Sequence, residues 1–378
     1  MKIAFDLRRI GNPGIGRYMK CLVEAILKQR TEHEYLLLLP LNHPEISNSN
    51  FANVTRVFPR SPYYSIREQI ELPRILREQK VDLLHSPHFL LPLSRPCPAV
   101  VTIHDVIYLA CPEDLPSRLG RAYYTAMMHA SARMAKRIIT DSEFSKNEIV
   151  RYLHVDPEKI AVIYPAVDAR FQESCEPAFL ESILRKHSID RDYIFYTGIY
   201  KPRKNHEGLL RAFNVFLSSG LDAKLVISGP IGDGERQLRA LASTFGISER
   251  VIFTGFVDDD ELHALYSGAR VYACPSLYEG FGFTVLEAMA SGIPVVCSRA
   301  ASLPEVGGDA ALYADAENAE EFAKALHAVF ADGYLRRELV FCGKQNLSRF
   351  SWKSAAELCL QNYDAVLGTS TFPCPVVA

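Results

Sequence analysis

None of the nine cysteines stands in a C-x-x-C pair, so neither a zinc site nor a disulfide framework is indicated. Cys274 and Cys297 fall inside apolar strands, where the thiol behaves as a small hydrophobe. No apolar run approaches the roughly 20 residues needed to span a bilayer. The first residues, M-K-I-A-F-D, enter directly as a strand and lack a signal-peptide pattern, which makes a cytoplasmic protein the expectation. No D-x-D stands in a loop suited to a divalent cation. The acidic run Asp258-Asp259-Asp260 suits a helix start instead, so no metal and no cofactor are expected.

A strong net charge is missing too: the total is −2. It hides an asymmetry. Residues 1–170 carry 23 Lys+Arg against 18 Asp+Glu, or +5, and the remainder carries 19 against 26, or −7. A basic first half fits an anionic partner such as a lipid diphosphate or a membrane surface. Ordinary scatter of surface charge fits it equally well. Nothing in the pattern suggests nucleic acid.

The 378 residues exceed a single typical core, and 48% hydrophobic with 23% charged residues is ordinary globular composition. Short apolar strands alternate with amphipathic helices throughout. Examples are Lys2 to Asp6, the helix from about Arg17 to Gln29, Val54 to Phe58, and a helix from about Ser65 to Glu78. In that helix Ile66, Ile70, Leu72, Pro73, Ile75 and Leu76 read as one packed stripe. Such alternation predicts α/β architecture with parallel sheets covered on both faces. The segment Pro165 to Asp168, followed by E-S-C-E-P, breaks it and reads as a linker. The expected domains are 1–170 and 177–350, with a last helix over 352–367 and a loosely held tail.

One stretch concentrates the chemistry: A-C-P-S-L-Y-E-G-F-G-F-T-V-L-E-A-M-A-S-G-I-P-V-V-C-S, from Ala273 to Ser298. A strand ends at Pro275, a loop carries Glu279 into Gly280-Phe281-Gly282, and Thr284 to Ser291 reads as a helix. The unpaired amides and dipole of a helix N-terminus attract anions. Glycines there let backbone approach a phosphate closely. Glu279 and Glu287 are separated by at most ~12 Å of helical rise, enough for a diphosphate between a sugar and a ribose. Two cations, Arg203 and Lys204, follow the strand Tyr193 to Thr197 and suit the same diphosphate. Gly14 and Gly16 follow the first strand, yet a dinucleotide fingerprint fails there. Met19 occupies the third glycine position, and no acid ends the second strand.

Those residues resemble a known family. Y-E-G-F-G-F-T-V-L-E-A-M-A-S-G-I-P-V-V looks like the E-x7-E signature of retaining nucleotide-sugar glycosyltransferases, the group 1, mannosyltransferase-like family with the GT-B fold. The likeness extends over nearly the whole chain, through P-R-K-N at Pro202 to Asn205, the His104-Asp105 pair and Phe350-Ser351-Trp352. It implies two doubly wound Rossmann-like domains with a cleft between them and a C-terminal crossover helix packing on the first. It assigns the transferred sugar to Glu279 and His104, the leaving diphosphate to Arg203 and Lys204, and the ribose to Glu287. Gly14, Gly16, Gly280, Phe281, Gly282 and Thr284 would line the donor, and Val257 would hold its base through the backbone. The Tyr63-Tyr64 region and Leu109 to Arg121 would shape the acceptor site. Ile199 stands where many relatives have a further arginine.

The expectation is therefore a metal-independent, retaining hexosyltransferase. GDP-mannose is the expected donor, and a glycan or lipid-linked glycan in bacterial surface polysaccharide synthesis the acceptor. Peripheral contact with the inner face of the plasma membrane would run through the first domain. The alternatives are a UDP-glucose or UDP-N-acetylglucosamine transferase, an epimerase or phosphorylase on the same fold, and a non-catalytic nucleotide-sugar-binding partner of another transferase.

Overall fold

The computed structural model describes every residue except 13, 30–31, 42–51, 116, 191, 231, 233 and 370–378. Pro116 of the expected acceptor segment and nearly all of the tail thus lie outside the described residues. The chain divides into two units, Met1–Pro165 with Phe350–Ala378, and Ala166–Arg349.

In the first unit, strands β1 (Lys2–Asp6), β2 (Glu34–Leu38), β3 (Val54–Val57), β4 (Leu83–Ser86), β5 (Ala99–Thr102), β6 (Arg137–Thr140) and β7 (Ile160–Val162) form one sheet. Its order is β3-β2-β1-β4-β5-β6-β7, and its pairs are all parallel. The second sheet holds β8 (Tyr193–Thr197), β9 (Lys224–Ser228), β10 (Val251–Gly255), β11 (Val271–Cys274), β12 (Val295–Ser298) and β13 (Ala311–Ala314). Its order, β10-β9-β8-β11-β12-β13, repeats the pattern. Helices cover both faces, so central strands such as Val271–Cys274 are apolar and buried along their length. In each sheet the strand order reverses once, between β1 and β4 and between β8 and β11. Folds of this kind bind ligands beyond the carboxyl ends of the strands at such a switch point.

The last helix, Trp352–Leu367, belongs to the first unit and packs on Ile15–Gln29. Tyr363 of this helix hydrogen-bonds His85 of β4 at 2.5 Å, and His85 reaches Thr102 of β5 at 3.0 Å. Among the described residues no helix is long and apolar enough to cross a membrane.

The sequence expectations are adjusted at three places. Ile66 and Ile70 are 85% and 70% exposed, because the helix begins only at Glu68 and its buried face is Leu72, Pro73 and Leu76. The units meet at Pro165/Ala166, inside the expected linker, and the residues after it, 166–170 of the expected first domain included, belong to the second unit. Its Ala169–Gln172 turn buries Phe171, whose ring stands edge-on to Tyr266 and His263. Strand β13 went unforeseen, since A-L-Y-A has no β-branched residue to announce it.

Candidate active site

In the second unit, the strands flanking the switch point each deliver charge at their carboxyl ends. Beyond β8, Pro202–Lys204 forms one short 3-10 turn, closed by Asn205 in the left-handed region at φ 53°. Asn205 caps the next helix, accepting from the Gly208 amide at 3.1 Å. Its Nδ2 donates to the carbonyls of Ala316, at 2.8 Å, and Pro275, at 3.3 Å. One side chain thereby ties the cation turn to the loop beyond β11. The Leu277 amide donates to the Arg203 carbonyl at 2.7 Å and adds a second tie.

Across that junction Lys204 Nζ lies 2.5 Å from Glu279 Oε1, and Arg203 Nη1 lies 3.8 Å from Glu279 Oε2. All three side chains are largely buried. Burial alone would raise the Glu279 pKa, but Lys204 and then Arg203 outweigh it and hold the carboxyl below its usual range. The Glu279 loop is pinned from behind by Ser302, whose Oγ reaches the carbonyls of Glu279 at 2.9 Å and Phe281 at 2.7 Å. Gly282 then turns the chain at φ 111° into the helix Phe283–Ala290. A side chain there would be strained by the backbone and would meet Leu303 Cδ2 at 3.0 Å. Glu287 sits on this helix, 4% exposed, and accepts from the Tyr266 hydroxyl at 3.0 Å. Val257 follows β10, at the far edge of the same sheet.

In the first unit, His104 follows β5. Its Nδ1 lies 2.7 Å from Asp141 Oδ2 beyond β6, and the Tyr18 ring meets it edge-on at 4.6 Å. Asp105 Oδ1 accepts from the Ile107 amide at 3.0 Å and so orients its own loop. Tyr18 belongs to the helix Ile15–Gln29, whose first turn contains Gly16. The glycine loop and His104 therefore meet through one aromatic ring. Gly14 turns the chain at φ 75°. Gly16 is fixed by crowding: a β-carbon would lie 1.9 Å from the Ile10 carbonyl oxygen. Arg8, bidentate on Asp6 at 2.8 Å, stacks 4.7 Å over the Tyr63 ring, while Arg9 hydrogen-bonds the Tyr64 hydroxyl.

With this geometry in view, the similarities to known proteins are decisive. Residues 181–346 match the family described as glycosyl transferases group 1, and residues 13–171 match glycosyltransferase family 4. The chain is 32% identical over 383 residues to O-antigen chain mannosyltransferase B of Escherichia coli, across 96% of this chain and 99% of that one. The chain belongs to the group 1 glycosyltransferases. It is also 30% identical to the serotype-specific mannosyltransferase WbdA of Escherichia coli, over 73% of its own length and 34% of that protein. Among solved structures, sucrose-phosphate synthase from Thermosynechococcus elongatus superposes with a TM-score of 0.79 at 20% identity, covering 98% of this chain and 100% of that one. The fold is GT-B.

For this glycosyltransferase the structure gathers Arg203, Lys204, Glu279, Gly280, Phe281, Gly282, Thr284 and Glu287 around one loop-and-helix corner of the second unit. It gathers Gly16 and His104 around Tyr18 in the first. Sequence reasoning gave no bracing role to Asp141 behind His104, Asn205 and Ser302 behind the Glu279 loop, or Tyr266 beside Glu287. Asn205 alone carried a local signal, since an asparagine before an apolar helix is a cap. The others come from distant segments.

Proposed function

We propose that this glycosyltransferase transfers mannose from GDP-mannose to a hydroxyl of a lipid-linked glycan, with retention and without a metal ion. The observation that carries the reading is the Arg203–Lys204–Glu279 cluster at the carboxyl end of β8 and β11. A departing nucleoside diphosphate gains negative charge, and two fixed cations beside an open helix N-terminus stabilise that charge more than they stabilise the bound donor. Arg203 and Lys204 neutralise the diphosphate. The first amides of Phe283–Ala290 face its oxygens, and Glu279 orients the sugar that the cations help to release. Glu287 takes the ribose hydroxyls. The choice of mannose draws on the names of the Escherichia coli relatives, and the lipid carrier on the +5 charge of residues 1–170.

Glu287→Ala should weaken donor binding by about ten- to a hundredfold, the loss of charge-assisted hydrogen bonds worth ~1.5–3 kcal/mol each. Calorimetry with GDP checks this, and an unchanged affinity would remove Glu287 from the donor site. The donor itself is tested by thermal stabilisation with GDP-mannose, UDP-glucose, UDP-N-acetylglucosamine and UDP-galactose, followed by turnover in EDTA. GDP-mannose should stabilise the protein and be consumed in the chelator. Stabilisation by a UDP-sugar alone refutes the donor, and activity restored only by magnesium refutes the metal-free mechanism.

A further inference from the structure

His104 has an oxygen acceptor at each ring nitrogen. Nδ1 lies 2.7 Å from Asp141 Oδ2, and Nε2 lies 3.2 Å from the Pro87 carbonyl. A neutral imidazole has one N–H and one lone pair, so either tautomer would aim a lone pair at an oxygen that has no proton to give. With Asp141 as a carboxylate, only the doubly protonated ring satisfies both. The Asp141 side chain is 2% exposed, and its second oxygen has no hydrogen-bond partner among the described residues. A buried carboxylate in that position requires a cation beside it.

The other groups around the ring agree. From the helix Ile15–Gln29 comes the Tyr18 ring, edge-on, and from His104's own loop the Asp105 carboxylate. β4 contributes His85, which burial pushes down to about 3, and just beyond it His88, pushed well below its usual value by burial and Arg9. The His104 charge adds to the lowering of both neighbouring imidazoles. Burial by itself would lower the His104 pKa, but the Asp141 charge and hydrogen bond, with Asp105, carry it above the usual value.

We infer that Asp141 is a positioning residue that holds His104 as an imidazolium, making it a fixed cation of the first unit and not a proton acceptor. Asp141 orients the ring through Nδ1–H, and the Nε2–H rests on the Pro87 carbonyl. A ring in this state donates hydrogen bonds and attracts anionic oxygen. It takes no proton from an acceptor hydroxyl, so His104 is not the general base. Only this functional consequence rests on the glycosyltransferase reading; the protonation state does not.

The test begins without substrate. In protein carrying 15N-labelled histidine, with the His104 signals assigned by His104→Gln, both ring nitrogens should be protonated at about pH 7. A neutral tautomer there overturns the inference, whatever the donor proves to be. Asp141→Asn keeps the size and one acceptor but removes the charge. In this variant His104 should titrate below the ordinary imidazole value of 6.5, because burial, the largest influence, is then opposed only by Asp105 and the Pro87 carbonyl. Sugar transfer should fall about tenfold or more at about pH 7.5 and recover in part at about pH 6, each unit of pKa being tenfold in protonation. A loss of equal size at both pH values would mark a structural role only and overturn the inference. Should the variant fail to fold, the wild-type spectrum decides.

Discussion

Lys204→Ala is expected to lower kcat by about a hundredfold or more, the range found when a single transition-state donor is removed. Donor binding should fall as well, but less, because the charge on the diphosphate grows as the sugar departs. The variant also changes Glu279, which keeps Arg203 at 3.8 Å as its cation and a hydrogen bond from Ser276. The sign of the pH effect follows from the depressed pKa of that carboxyl. In the wild type the pair's stabilisation is complete above the unfolded carboxylate pKa and disappears as pH falls through the lower, folded one. Without Lys204 the folded pKa rises toward the unfolded one, so the acid loss of stability due to this carboxyl should shrink, whereas activity that needs it ionised should be lost at a higher pH. Steady-state kinetics and thermal melts across pH 4 to 7 check both parts. A variant with normal kcat and only a lower melting temperature would make Lys204 a structural residue.

The second large effect is expected from Gly16→Ala, a change of one methyl group. The added carbon would lie 1.9 Å from the Ile10 carbonyl oxygen, and that obstacle is backbone, which moves only with its loop. Overpacking of this kind costs about 3 kcal/mol. The strain falls on the first turn of the helix that carries Tyr18 against His104. Denaturant melts should therefore show a lower midpoint, and turnover should fall at temperatures where the variant is still folded. Gly14→Ala provides the contrast. Its β-carbon meets nothing within 4 Å, and its cost is that of a positive φ of 75° alone. Equal stability of the two variants would contradict the crowding argument.

The legible parts of the site were those written in local spacing. Arg203 and Lys204 follow a strand by a few residues, and Glu279 and Glu287 straddle a helix start, so period and turn chemistry suffice to place them. The sheets were legible for the same reason: strands such as Val271–Cys274 are buried on both faces and read as unbroken apolar runs. Pairings set by strand order were not. His104 meets Asp141 because β5 lies beside β6, and no pattern in either segment announces the other. Ser302 braces the Glu279 loop from 23 residues away, through a hydroxyl that looks like any other serine in a loop. The stripe assigned to Ile66 and Ile70 failed because periodicity shows that a face is apolar, not that anything covers it.

The placement of the last helix has a consequence for how the protein is made. Trp352–Leu367 completes the first unit: Tyr363 hydrogen-bonds His85 of β4, and Gln29 reaches the Lys353 carbonyl at 2.8 Å. The ribosome delivers it only after the whole of Ala166–Arg349, a contiguous and compact unit. The half synthesised first is thus the half finished last. Until Trp352–Leu367 emerges, the surface meant for this helix stays open, with β4 and the helix Ile15–Gln29 awaiting their partner. A chain cut short before Phe350 would carry an intact second unit beside a first unit that never closes.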